Sequence, residues 1–253
     1  MKRGHKISKI ANLNRKSLLA LFAETSESEN LATQDKPSPH VYEALELMAL
    51  QKWAELFELF RNLKARDSGQ LVREFFLPVI AEFNSRVRRG LVSIAQEHVF
   101  SSLLKEKIYA VATQLNSQQE KSSKRVRFVL AAPEGDFHEI GLLLAHLLIR
   151  THGLTSLYLG PHTPAQELSE TALRFEATHL LLVATIAKNQ GANQELLSYV
   201  AAIQKRVGTQ LPILLAGNQA HGIAAKSDTA VQYIPSFDDF NRFLKDVAMR
   251  RQA

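Results

Sequence analysis

Apolar positions along this chain follow two different rules, and the change falls near the middle. In the first half they recur every three or four residues. Trp53, Leu56, Phe57, Phe60 and Leu63 form one stripe, and Leu71, Val72, Phe75, Val79, Ile80 and Phe83 form a second. This spacing predicts amphipathic helices with one face buried. Asp67-Ser68 can cap the second of them, Pro78 should bend it, and Gly90 should part it from a last long helix, Leu91 to about Gln118. With a break near Gln51 in the first stripe, the block becomes a bundle of about four helices.

In the second half, short apolar runs alternate with helical stretches. The predicted strands are Val126–Ala132, Thr155–Leu159, His179–Ala184, Ile213–Ala216 and Val231–Ile234. The predicted helices are Glu139–His152, Pro164–Glu176, Gln194–Val207 and Phe237–Met249. Such alternation with short connections predicts α/β architecture: a doubly wound, five-stranded parallel sheet of Rossmann-like type, covered on both faces. Two polar stretches, 24–40 and Gln118 to Lys124, lack periodicity and read as linkers. The expected order is a basic segment (1–23), a linker (24–40), a helical bundle (41–118) and an α/β domain (125–253).

The loop between the first predicted strand and its helix carries the densest chemistry, Pro133-Glu134-Gly135-Asp136-Phe137-His138-Glu139-Ile140-Gly141. It falls at the carboxyl edge of the sheet, where open α/β sheets bind ligands. Asp136 and His138 are two residues apart. The carboxylate can hold one ring nitrogen while the other points away, which fixes the tautomer of a metal-bound imidazole and raises its basicity. Gly141 permits close approach of a bulky ligand. Glu139 reads as a helix-start residue favoured by the dipole. His146, His152, His162, His179 and His221 lack matching neighbours in sequence and read as structural or surface residues, and Trp53 as core.

Asp-x-His-x-x-Gly after a strand resembles the cobalamin-binding module, in which the His replaces the cofactor's own base as lower axial ligand of cobalt. Leu181-Leu182-Val183-Ala184-Thr185-Ile186 resembles that module's strand ending in Ser-x-Leu, with Thr185 in the Ser place. Pro212-Ile213-Leu214-Leu215-Ala216-Gly217 resembles its strand ending in Gly-Gly, with Ala216 first and Gly217 second. Tyr158-Leu159-Gly160, followed by Thr163-Pro164, resembles the turn after the second strand.

Earlier in the chain, Val87-Arg88-Arg89-Gly90-Leu91-Val92-Ser93-Ile94-Ala95-Gln96-Glu97-His98 resembles the helical cap of cobalamin-binding MerR-type transcriptional regulators of the CarH/LitR kind. Glu97-His98 matches the pair in that cap, Val87 stands where the relatives have Trp, and Asn84 replaces a Gly common just before it. Arg3 to Leu13 with Leu18 to Leu21 resembles the tail of a MerR DNA-binding domain, without a counterpart of its helix-turn-helix.

The resemblance implies a cobalamin, as adenosylcobalamin or another upper-ligand form, held between bundle and α/β domain. His138 would be its metal ligand. Asp136, Gly141, Thr185, Ala216 and Gly217 would lie below it, and Val87, Glu97 and His98 above. In such regulators the adenosyl form promotes oligomerisation and repression, and light reverses both. The cap Trp shields the upper ligand there, and the His after it captures cobalt once that ligand has left. Here the second position is Arg88, a permanently protonated group with no lone pair to offer.

Composition narrows the remaining options. Of 253 residues, 45% are hydrophobic and 22% charged, as in a globular protein with a substantial core. Cysteine is absent, which excludes disulfides and thiolate metal sites and suits a reducing cytoplasm. No apolar run reaches the length of a membrane span. Six of the 31 basic residues lie in 1–16 without an acid, and the other 25 balance the 25 acids, so the net +6 resides in that arm. DNA contact is expected only through a helix-turn-helix outside these residues, or through a partner protein. No Ser/His/Asp set, Walker loop or glycosidase-like carboxylate pair is present, so the expected role is that of a non-enzymatic sensor that forms homo-oligomers. The competing roles are a corrinoid carrier for a methyltransferase system and a headless antirepressor acting by protein–protein contact.

Overall fold

Three helix starts in the first half sit where side chains replace missing backbone partners. The computed structural model describes residues 38–64, 67–119, 126–185, 192–220 and 231–250. The basic segment, most of the first linker, the second linker from 120 and His221 lie outside them. Helix α1 (Pro39–Ala49) begins after Ser38, whose hydroxyl accepts from His40 N, and ends before Gln51 at φ 54°. Helix α2 (Trp53–Asn62) follows, so the first stripe does break at Gln51. Leu56, Phe60 and Leu63 are buried, but Phe57 is 49% exposed, because it sits on the shoulder of the stripe and not at its centre.

Asp67 accepts from Gln70 N and opens α3 (Ser68–Leu71), which runs through a π-helical turn (Val72–Phe76) into α4 (Leu77–Arg88). The π turn stands where a proline bend was expected. Pro78 has no N–H for the Glu74 carbonyl, and Ser38 N donates to that carbonyl at 2.8 Å. The extra residue rotates the apolar face, and Phe76 and Leu77 join Phe75, Val79 and Phe83 in the core.

Gly90 ends α4 with φ 68°, as Leu91 N donates to Arg86 O and Gly90 N to Val87 O, the paired bonds of a Schellman stop. Helix α5 (Ile94–Gln119) starts three residues later than Leu91 because Ser93 and Gln96 form a reciprocal capping box, Gln96 N to Ser93 Oγ at 3.2 Å and Ser93 N to Gln96 Oε1 at 2.8 Å. Gln96 Nε2 also donates to Met48 O at 3.2 Å, tying the start of α5 to the end of α1.

The second half is a five-stranded, all-parallel sheet in the order β2-β1-β3-β4-β5. Its strands are β1 (Arg127–Pro133), β2 (Thr155–Thr163), β3 (His179–Val183), β4 (Ile213–Ala216) and β5 (Val231–Ile234). The connecting helices are α6 (Ile140–Thr151), α7 (Ala165–Arg174) and α8 (Ala192–Val207), with α9 (Phe237–Met249) last. Alternate strand residues face two cores. Phe128, Leu130, Leu181 and Leu214 meet Leu142, Leu147 and Phe240 of α6 and α9. Val129, Leu180, Leu182 and Ile213 meet Leu168, Val200 and Ile203 of α7 and α8. The first of these cores is continuous with the bundle, including Phe60, Phe83 and Phe100. This explains why α6 is apolar all round: Leu142 to Ile149 are buried without a break, between the sheet and the bundle. Among the described residues, no helix is long and apolar enough to cross a membrane.

Strand β2 departs from expectation. It does not turn at Gly160 but continues to Thr163, with register shifts opposite Leu130 and Ala131 and Gly160 at φ 97°. A Gly-Pro pair reads as a turn in sequence, whereas here glycine absorbs an irregularity within the edge strand.

His146, on α6, is 8% exposed and its Nδ1 lies 3.0 Å from Ser156 Oγ. Burial, then the charge of Arg150, lowers its pKa from 6.5 to about 4. The unfolded chain accepts a proton in this interval and the fold refuses it, so stability is full above about pH 6.5 and drains as pH falls towards 4. The loss amounts to about 3 kcal/mol. Urea unfolding at about pH 7 and pH 4.5 should show His146→Met losing less stability between the two than the wild type does.

Candidate functional site

The loop after β1 is shaped by a tight turn. Asp136 N donates to Pro133 O at 2.9 Å across Glu134 and Gly135, with Gly135 at φ 85°, the position of a type II turn that demands a left-handed residue. The turn delivers Asp136 to the gap between β1 and β3. In the strand order 2-1-3-4-5 this gap is the topological switch point, where neighbouring crossovers leave to opposite faces and a crevice opens.

Asp136 is 6% exposed and its carboxylate is fully engaged. Oδ1 accepts from His138 N at 3.0 Å and lies 2.9 Å from His138 Nδ1, and Oδ2 accepts from Thr185 N at 2.7 Å. A carboxylate facing a ring nitrogen accepts, so Nδ1 carries the hydrogen and the lone pair of the neutral ring resides on Nε2. The His138 side chain is 50% exposed. The result is an oriented imidazole at the sheet edge that can give one nitrogen to a metal. Thr185 takes part through its backbone amide, so the change from Ser to Thr leaves the contact intact for a reason that does not involve the hydroxyl.

Small residues shape the rest of the crevice. Gly217, after β4, has φ 98°, and a Cβ there would stand 2.2 Å from Ala184 O. Ala184 N donates to Ala216 O at 2.8 Å, which locks the ends of β3 and β4 together. A Cβ at Gly141 would meet only Val183 Cγ1, at 3.9 Å. Gly141 is therefore not required by the packing of this chain, since a methyl group there would make an ordinary contact.

Two neighbours of the loop were not legible as such. Glu139 makes no capping bond to α6. Its carboxylate accepts from Lys105 Nζ (3.2 Å) and Tyr109 OH (3.1 Å) of α5, and from Tyr158 OH (3.0 Å) of β2. Burial and the Glu139 charge raise the pKa of both phenols, which keeps them donors. His162, read as structural or surface, backs the loop: its Nδ1 accepts from Gly135 N at 2.8 Å and its ring stacks on Phe137 at 4.9 Å. His146, His152 and His179 have structural partners in Ser156, Asn241 and Thr178.

Of the cap residues, Val87 is half-buried near the end of α4, Glu97 is half-buried and His98 exposed on α5. Among the described residues, no hydrogen bond or ion pair joins them to the His138 loop. Helical periodicity nevertheless places His98, Lys105 and Tyr109 on one stripe of α5, with His98 about 10 Å along the axis from Lys105.

In architecture the chain is a helical cap on a Rossmann-like layer, the fold of a corrinoid protein. The monomethylamine corrinoid protein of Methanosarcina barkeri superposes with a TM-score of 0.60, covering 83% of this chain and 96% of that one at 14% identity. In sequence it is similar to two transcriptional repressors. The HTH-type transcriptional repressor CarH of Myxococcus xanthus is 25% identical over 222 residues, 87% of this chain and 67% of that protein. The repressor CarA of the same organism is 28% identical over 152 residues, 56% of this chain and 50% of that one. No family model matches.

The two glycines should separate in experiment. Gly217→Ala meets a backbone carbonyl and a left-handed φ, and should cost at least about 3 kcal/mol. Gly141→Ala, in a helix with room for a methyl group, should leave the thermal midpoint equal or slightly higher. Melting curves of the two variants without added ligand test both statements.

Proposed function

We propose that this chain is the cobalamin-binding sensor portion of a MerR-type transcriptional regulator, with His138 as the lower axial ligand. The observation that carries this reading is the Asp136–His138 pair at the switch point, with Nδ1 committed and Nε2 available. If cobalamin is bound, it would supply a cobalt that the free Nε2 of His138 could ligate. The residues of this chain do the rest. Asp136 orients the ring, Gly141 leaves room beside the first turn of α6, and Ala216-Gly217 keep the ends of β3 and β4 close and free of bulk. Glu97 and His98 on α5, and Val87 on α4, would face the cofactor's other side. The module is a binding switch and not an enzyme. The cofactor biases how copies of the chain associate, and through that DNA binding by an attached or partner domain.

A corrinoid carrier for a methyltransferase would use the same fold. Similarity along 222 residues to a transcriptional repressor favours the sensor. Methyl transfer from bound methylcobalamin to an added methyltransferase would favour the carrier.

His138→Ala should bind cobalamin far more weakly and lose the imidazole-ligated visible spectrum. Asp136→Asn, which loosens ring orientation, should weaken binding by about 10- to 100-fold. Equal retention and identical spectra of wild type and His138→Ala would remove the axial role.

Light should act differently here from its action in the relatives. Arg88 cannot ligate cobalt, so His98 is the candidate for a second imidazole. Illumination of the adenosylcobalamin complex should give no bis-imidazole spectrum in His98→Ala. Such a spectrum persisting in that variant, with a change in size-exclusion profile, would contradict this account of the cap.

A further inference from the structure

We propose that Glu139 is a positioning residue that couples the seat of helix α5 to the geometry of the His138 loop. This inference rests on the axial reading of His138. The segment 136–139 has no regular structure and hangs between two anchors. At one end Asp136 is fixed to the amide of Thr185 at the end of β3. At the other, one carboxylate gathers donors from two separate layers, Lys105 and Tyr109 from the cap and Tyr158 from the sheet. His138 lies between these anchors and shares a peptide unit with Glu139.

Each contact alone is modest, since Lys105 is 38% exposed and its ion pair is partly screened. Together they fix a direction. Tyr109 and Tyr158 meet edge to face at 6.1 Å, so the two phenols converge on Glu139 from either side of the layer boundary. A shift of α5 by more than a hydrogen-bond length must break these bonds or drag Glu139 along. His98 and Glu97 stand on the same helix as Lys105 and Tyr109, so a movement of α5 at their end reaches Glu139 through these bonds. Movement of α5 is thereby passed to Glu139, one peptide unit from His138.

The test uses the full chain, apo and loaded with hydroxocobalamin. The latch is opened from the cap side by Lys105→Met with Tyr109→Phe, and from the loop side by Glu139→Ala. In the apo protein, both changes should speed amide exchange over residues 136–139 by about tenfold, the scale of one lost charge-assisted hydrogen bond. In the loaded protein, both should move the visible spectrum partway from the wild-type form towards that of His138→Ala, and combining them should add little. Lys105→Arg with Tyr109 intact should restore the wild-type spectrum. Unchanged exchange in both variants overturns the coupling. A wild-type spectrum identical to that of His138→Ala overturns the axial reading instead, so the two failures are distinguishable.

Discussion

A single buried carboxylate sets the geometry of the sheet edge. Removing an aspartate from water is unfavourable unless its lone pairs are met, and Asp136 meets three N–H groups from two segments. One is the amide of Thr185, which fixes the end of β3 against the loop after β1. The other two belong to His138, which fixes the ring and its tautomer. The carboxylate is thus both a structural clip at the switch point and the orienter of an imidazole suited to ligate a metal. The clip also explains the small residues opposite. With β1 held to β3, Ala216 and Gly217 bring β4 close enough for Ala184 to pair with Ala216, a closeness that any Cβ at Gly217 would prevent.

Much of this was legible because it depends on local period and on residue types with few alternatives. The helical stripes ending at Leu63 and Phe83, the alternation of strands and helices, and β4, β5 and α9 at their expected bounds follow from patterns that packing does not override. Asp136 and His138 could be singled out because carboxylate and imidazole two residues apart do something few other pairs can, whereas Gly217 was marked only by its resemblance to a strand ending in Gly-Gly, and its left-handed φ of 98° became visible in the fold. The misses share a cause as well. The start of α5 depends on Gln96 reaching back to Ser93 and across to Met48, and only the first of these has a sequence signature. The extension of β2 through Gly160 and Pro161 is a tertiary effect, since edge pairing to β1 outweighs the local preference for a turn.

Glu139 and His162 were hidden for a further reason. A residue at the start of a helix has a sufficient local explanation in the dipole, and that explanation conceals a long-range role. Glu139 finds its partners 34, 30 and 19 positions away. On α5 itself a signal did exist, since His98, Lys105 and Tyr109 recur at helical spacing on a polar stripe. A polar stripe reads as solvated until the layer beneath it is known. His162 offered no such signal. Its position beside Gly135 follows from β2 continuing past its expected end.

The helical cap and the α/β layer differ in how firmly they are joined along α5. In the cap, α5 is bound into an aromatic cluster: Phe100 stacks on Phe83 at 4.7 Å and meets Phe60 edge-on at 5.8 Å, and Phe60 meets Phe75 at 5.6 Å. Such buried rings resist separation and hold α2, α4 and α5 together as one packed unit. Between α5 and α6 the shared core is apolar and non-directional, which tolerates a small rotation or slide more readily than it tolerates parting. The directional restraint at this boundary is polar: Lys105, Tyr109 and Tyr158 around Glu139. Water can replace each of these partners at modest cost, unlike the rings above. The aromatic cluster thus holds the cap together by packing, while the direction in which α5 sits over the His138 loop is set by the polar contacts around Glu139.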